Sequence, residues 1–213
     1  MPRGRPARKN TPSPPVTERG TRTRARLVAA AREVFETEGF INARIASIAR
    51  TARVAYGTFY SHFPSKEAIF MEVASELFEE MFREDPAAEH HDSGHSPRAR
   101  LERINRIYYE NYKRNAALMA IIEQVEQIDP SFRELRKGHR RFSAERTSAA
   151  ITRWQAQGLV NDKIDPQITA FALAAMVDRT LTLHFVDGMD IDDDELLHTL
   201  NELTVGALGI AAD

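Results

Sequence analysis

Between Ile45 and Lys66 the chain reads IASIARTARVAYGTFYSHFPSK, two short helical patterns joined by a tight turn. Ile45, Ile48 and Ala49 fall at i, i+3 and i+4, which gives the first pattern one apolar face. Phe59, Tyr60 and Phe63, at i, i+1 and i+4, keep the helical spacing on the second, which Pro64 ends. Ala52 and Val54 are small enough to let two helices cross closely between them. Two short helices crossing steeply over a small core give the helix-turn-helix geometry, in which the second helix enters the DNA major groove. Phe59 and Phe63 are therefore expected in the core.

The preceding segment supplies the scaffold for this pair. Leu27, Ala30, Ala31, Val34 and Phe35 share one face of a helix over Thr23 to Glu38, with Gly39 as its C-terminal stop and Asn42 as the N-cap of the helix after it. Arg22, Arg24 and Arg26 lie near its N-terminus, where the helix dipole disfavours cations, so an external anion such as a phosphate would explain them. The segment TRARLVAAAREVFETEGF, the pair Ile48-Ala49, then Val54, the run Gly57 to Tyr60, His62-Phe63 and Ser65-Lys66-Glu67 together resemble the N-terminal domain of the tetracycline-repressor (TetR) family of bacterial transcriptional regulators.

That resemblance implies a set of DNA contacts. Tyr56, Gly57 and Thr58 occupy the first turn of the recognition helix and face base edges, and Tyr60, His62 and Lys66 meet the backbone. The chain departs from the family pattern at four places. Ala43 and Arg44 stand where small hydroxyl residues are usual, Arg53 where the turn carries glycine, and Ala55 where a serine caps the recognition helix. Loss of a serine cap costs about 1 kcal/mol, and a left-handed turn residue is less favourable as arginine than as glycine. In exchange Arg44 and Arg53 add two cations for phosphate, and Ala55 offers an apolar contact to a thymine methyl.

Charge is divided along the chain in the same sense. Residues 1–60 carry a net +8 and the remainder a net −10, although the whole chain is only −2. A basic head on an acidic body suits a DNA-binding module attached to a domain with another task. The proline-rich, nearly core-less residues 1–21 are expected to form a flexible basic arm. Within it Pro2-Arg3-Gly4-Arg5-Pro6 resembles an AT-hook, whose Arg3 and Arg5 would enter a narrow minor groove; nonspecific phosphate contact is the plainer role. Cysteine is absent, which removes disulfides, thiolate-held zinc and thiol redox sensing, and fits a reducing cytoplasm. No stretch is long enough to span a membrane.

The expected architecture is all-α: the arm, a helix-turn-helix domain over residues 22–66, and a helical effector-binding and dimerisation domain over 67–213. Ile168 to Val177 is apolar almost all round, which calls for burial on more than one side and so for a second subunit. With Leu196, Leu197, Leu200, Leu203 and Leu208 of the last helix it suggests the four-helix homodimer interface usual in the family, and a two-fold protein matches paired half-sites in DNA. Phe78, Met81, Phe82, Tyr108, Tyr112, Met119, Phe142, Trp154, Phe171 and Met176 would suit a pocket for a bulky apolar effector, although each alone fits a core role better. Asp178, Arg179 and His184 are polar on an apolar helix, suited to orienting a ligand or to ion pairs. The leading expectation is a repressor released from a palindromic operator by a small effector, without cofactor, resident metal or catalytic residues. Two alternatives stand beside it. One is an effector-free DNA-binding protein that uses the arm; the other is a metal hydrolase using His90, His91, Asp92 and His95, which with Glu89 are metal-ligand types on a loop that gives them no fixed face.

Overall fold

Periodic apolar faces fold into nine α-helices among the described residues, which in this computed structural model are 18–81 and 96–210. In chain order they are α1 (Glu18–Asn42), α2 (Ile45–Thr51), α3 (Tyr56–Tyr60), α4 (Lys66–Met81), α5 (Pro97–Arg114), α6 (Ala116–Ile128), α7 (Pro130–Ala156), α8 (Pro166–Phe185) and α9 (Asp193–Leu208). Proline at the first turn and an acceptor just before it start α5, α7 and α8. The Asp129 carboxylate accepts from the Ser131 amide at 2.8 Å, and Asp165 does the same for Ile168 at 2.8 Å.

Two boundaries differ from expectation. Helix α1 begins at Glu18, inside the span assigned to the arm. Gly39 does break it, with φ 71° and ψ 165°, but Asn42 does not cap the next helix. The chain turns once more, with the Ala43 amide donating to the Gly39 carbonyl at 3.1 Å, and Arg44 becomes the N-cap of α2 with no side-chain acceptor.

One apolar core runs from the first three helices into the rest. Leu27, Ala31 and Phe35 of α1 meet Ile48, Phe59 and Phe63 on one side and Ile69, Val73 and Leu77 of α4 on the other. An aromatic column extends it: Phe70 packs edge-on to Phe35 at 4.9 Å, lies 4.8 Å from Phe40 and stacks on Phe132 of α7 at 5.0 Å. A second cluster fills the far end, where Leu101, Ile151, Trp154, Ala170, Leu173 and Leu208 join α5, α7, α8 and α9.

Between these clusters lies a charged network. Arg136 of α7 is 2 % exposed, with its guanidinium 2.6 Å from Glu123, 2.9 Å from Glu126 and 3.3 Å from Asp178. Arg140 reaches the same Glu126 and Asp178 at 3.3 and 3.5 Å, and the Tyr108 hydroxyl donates to Asp178 at 2.9 Å. Burial opposes the charge on Arg136, but Asp178, Glu123 and Glu126 outweigh it and hold its pKa above the ordinary value. Burial, then the Asp178 charge, pushes the Tyr108 phenol well up, and burial takes Tyr112 up to about 12. Asp178 is thus an ion-pair residue. Arg179 pairs with Asp187 at 3.0 Å, and His184 bridges the Asp193 carboxylate and the Met189 carbonyl, each at 2.9 Å, closing the turn from α8 to α9.

The leucines of α9 require a correction. Leu196, Leu197, Leu200 and Leu208 are buried within this chain, because α9 packs on α5, the first three joining the first core and Leu208 the second cluster; Leu203 alone of the five is exposed. Ile168 and Phe171 of α8 are exposed as well.

Candidate nucleic-acid interface and helical-domain cleft

The turn between α2 and α3 carries the two departures singled out in the sequence. Arg53 has φ 54°, the one positive φ outside glycine among the described residues. Its cost is offset locally: the Arg53 amide donates to Arg50 at 3.0 Å, the Val54 amide donates to Ala49 at 3.0 Å, and the Arg26 guanidinium donates to the carbonyls of Ala52 and Arg53. Ala55 is the N-cap of α3 and supplies no side-chain acceptor. Phe59 and Phe63 are buried, as their spacing requires.

With those two rings inward, the opposite face of α3 looks out. Tyr56 is 54 % and Tyr60 48 % exposed, packed edge-to-face at 5.5 Å with their hydroxyls 3.2 Å apart. Gly57 lies on the same outward face, and a Cβ placed on it would meet nothing within 4 Å. Packing within the chain therefore does not demand glycine there, whereas close approach of an external body would.

Beside this face a cleft of about 660 Å³ separates α1 from the turn. Arg22, Arg53, Ala55, Thr58 and His62 line it, together with Arg19 and Arg26. Arg26 is exposed and braces the turn, so its cation serves both the cleft and the fold. Arg19 escaped the sequence reading because it fell within the presumed arm; the signal available was its spacing of three from Arg22 and seven from Arg26, which sets all three on one side of a helix. Arg44 is exposed at the start of α2.

Lys66 is a correction. Its ammonium turns inward and donates to the carbonyls of Phe40 at 2.7 Å, Ile41 at 3.2 Å and Ala43 at 3.2 Å, and it lies 4.6 Å from the Phe40 ring. It ties off the end of α1, where carbonyls lack helical partners. Arg3 and Arg5 lie outside the described residues, as do Phe82 and the cluster of Glu89, His90, His91, Asp92 and His95.

The residues proposed to enclose an effector do not line one cavity. Tyr112 and Met119 are packed in the first core, with Tyr108 and Met176 against it; Trp154 belongs to the second, and Phe171 is 41 % exposed on α8. Among those described, only Phe78 and Phe142 meet, in an open cleft of about 440 Å³ between α4 and α7. The side chains missed there are Glu79, Glu134, Leu135 and His139, with Gly138 between them. Helical periodicity marks a buried face but not the element that covers it, so the ten aromatic and methionine positions were indistinguishable.

The first helices and the helical domain share a polar joint. Arg32 of α1 binds Glu36 at 3.0 Å, Glu80 of α4 at 3.4 Å and the Asn115 side chain at the α5–α6 junction. Asn115 donates to the Asn111 carbonyl at 2.7 Å, and Asn111 donates to the carbonyls of Glu80 and Met81, each at 3.4 Å. One connected set of hydrogen bonds thus fixes the end of α4 against α1 and α5.

Residues 27–73 match the model of the bacterial regulatory proteins of the tetR family. Over 194 residues the chain is 24 % identical to the HTH-type transcriptional regulator EthR of Mycolicibacterium smegmatis, covering 86 % of this chain and 85 % of that protein. Its fold is similar to that of a transcriptional regulator from Saccharomonospora viridis in complex with choline (TM-score 0.71, 21 % identity, 86 % of this chain and 95 % of that one). It is similar also to the regulator FadR from Bacillus subtilis in complex with stearoyl-CoA (TM-score 0.69, 20 % identity, 86 % and 98 %).

Proposed function

We propose that this chain is a DNA-binding transcriptional regulator of the TetR family and that it works as a homodimeric repressor whose operator is released when a small molecule occupies residues 67–213. The observation that carries this is the pairing of an outward Tyr56–Tyr60 face on α3 with an arginine-lined cleft beside it. Tyr56, Gly57, Thr58 and Ala55 read base edges and methyls, while Arg19, Arg22, Arg44, Arg53, Tyr60 and His62 hold the phosphate backbone.

A second copy covers the exposed apolar side chains Ile168 and Phe171 of α8 and Leu203 of α9. The dimer then sets two recognition helices about one turn of DNA apart, roughly 34 Å. The two similar folds with choline and stearoyl-CoA bound support a small-molecule effector, seated here in the cleft between α4 and α7. Occupation shifts α4, and the joint through Arg32, Asn115 and Asn111 carries that shift to α1. An effector that favours wrongly spaced helices lowers DNA affinity by linkage. Among the described residues no helix is long and apolar enough to cross a membrane.

The test is selection of duplexes from a random pool, with light scattering of the complex. The expected product is a two-fold symmetric site bound by two chains; a non-symmetric site or a bound monomer would refute the reading. Arg53→Gly probes the interface from the side of stability. Glycine relieves the left-handed strain, so the fold is expected to gain about 1 kcal/mol in thermal unfolding. DNA affinity falls at the same time, and the salt slope of the dimer drops by roughly 2. An unchanged slope would remove Arg53 from the backbone contacts.

A further inference from the structure

The cleft between α4 and α7 has walls of a particular chemistry. Phe78 of α4 and Phe142 of α7 present aromatic surface, and His139 lies 4.8 Å from the Phe78 ring. Burial lowers the His139 pKa against the pull of Glu79, which leaves the imidazole neutral at neutral pH. Glu79 and Glu134 complete the lining. Glu134 pairs with Lys137 at 2.7 Å, both exposed, while Glu79 has no ion pair among the described residues. Nearby Glu76, outside the lining, has its pKa raised by burial and then by the charge of Glu72, with Arg24 opposing and Glu79 adding to the rise.

Gly138 is the second observation. It sits in the interior of a 27-residue helix, where glycine is the poorest choice short of proline. Its φ is not positive, and an added Cβ would meet nothing within 4 Å, so neither backbone nor packing explains it. Its effect is to leave space between Glu134 and Phe142, which stand four residues to either side on the same face. Phe142 already lies against a cation, with the Arg146 guanidinium 6.0 Å from its ring centroid.

We propose that this cleft binds an organic cation with a bulky apolar body, its charge set between Glu79 and Glu134 and its body held on Phe78 and Phe142 over Gly138. The proposal rests on the reading that the cleft is the effector's seat and narrows that effector from an apolar molecule to a cationic one. An anion of the same shape is rejected, because among the described lining residues it would meet two carboxylates and no charged basic group.

Tetraphenylphosphonium and tetraphenylborate share size and shape and differ in charge, so titration calorimetry of the full chain with each separates charge from bulk. The cation is expected to bind and the anion not. Glu79→Gln weakens the cation by about tenfold, and Gly138→Leu, a better helix former that fills the space, abolishes binding while thermal unfolding shows the fold retained. Equal binding of both ions, binding of neither, or cation binding indifferent to both substitutions overturns the proposal. Repeating the titration with the selected duplex separates this failure from failure of the reading beneath it. A cation that binds with the expected sensitivity but leaves DNA affinity unchanged keeps the ligand class and refutes the effector role. An anion that is blocked by Gly138→Leu and releases DNA keeps the effector role and refutes the class.

Discussion

Arg136→Met is expected to destabilise the fold by about 3–5 kcal/mol, measured by urea unfolding at neutral pH. Methionine keeps most of the buried stem, so little of this loss is packing. What goes is the cation that Glu123, Glu126 and Asp178 share in the space between α6, α7 and α8. Arg140 remains, but it is half-exposed and reaches only Glu126 and Asp178. Three carboxylates facing one peripheral cation then repel one another. Adding Asp178→Asn and Glu123→Gln restores stability without restoring the cation, because the buried charges then no longer need it. A loss of less than about 1 kcal/mol would place the network among exposed pairs of little consequence.

This network also marks where sequence reasoning stopped. The first helices were legible because their signals are local. The four-residue offset that buries Phe59 and Phe63, the glycine that breaks α1, and the strained Arg53 all depend on neighbours within a few residues. The uncapped start of α3 follows from Ala55 alone. Arg136 and Asp178 lie 42 residues apart and look like any two charges on solvated helix faces until α7 and α8 pack. Lys66 failed for the same reason, since the carbonyls it caps lie 23 to 26 residues upstream. The leucines of α9 read correctly as an apolar face, but periodicity is silent on whether the covering surface is α5 or another subunit. The effector positions scattered on the same ground, and the cleft that did form was marked by a glycine and two carboxylates rather than by aromatic residues alone.

Replacing Arg19, Arg22 and Arg44 together by glutamine is expected to weaken DNA binding by roughly 10³-fold near physiological salt, with a fall of about 5 in the salt slope for a dimer that loses six cations. The fold is expected to persist, because these side chains are exposed, and among the described residues their one ion pair is the 3.5 Å surface contact of Arg22 with Glu18. Arg24, Arg26 and Arg32 are left in place for the opposite reason. Arg24 pairs with Glu72 and covers Phe63, Arg26 holds the turn, and Arg32 joins three helices, so their loss would mix stability with affinity. The matched control is Tyr56→Ala. It removes no charge, so the salt slope stays constant, while discrimination between the selected duplex and a scrambled one falls by about 1–3 kcal/mol for each half-site. Fluorescence titrations of both duplexes across a salt series give the two quantities at once. If the arginine triple lowered discrimination and left the slope alone, or if Tyr56→Ala did the reverse, the division between backbone holding in the cleft and base reading on α3 would be wrong. The physical ground for that division is position on one surface: the cleft cations come from α1 and the turn, with Arg44 exposed at the start of α2, whereas Tyr56 opens the exposed face of α3.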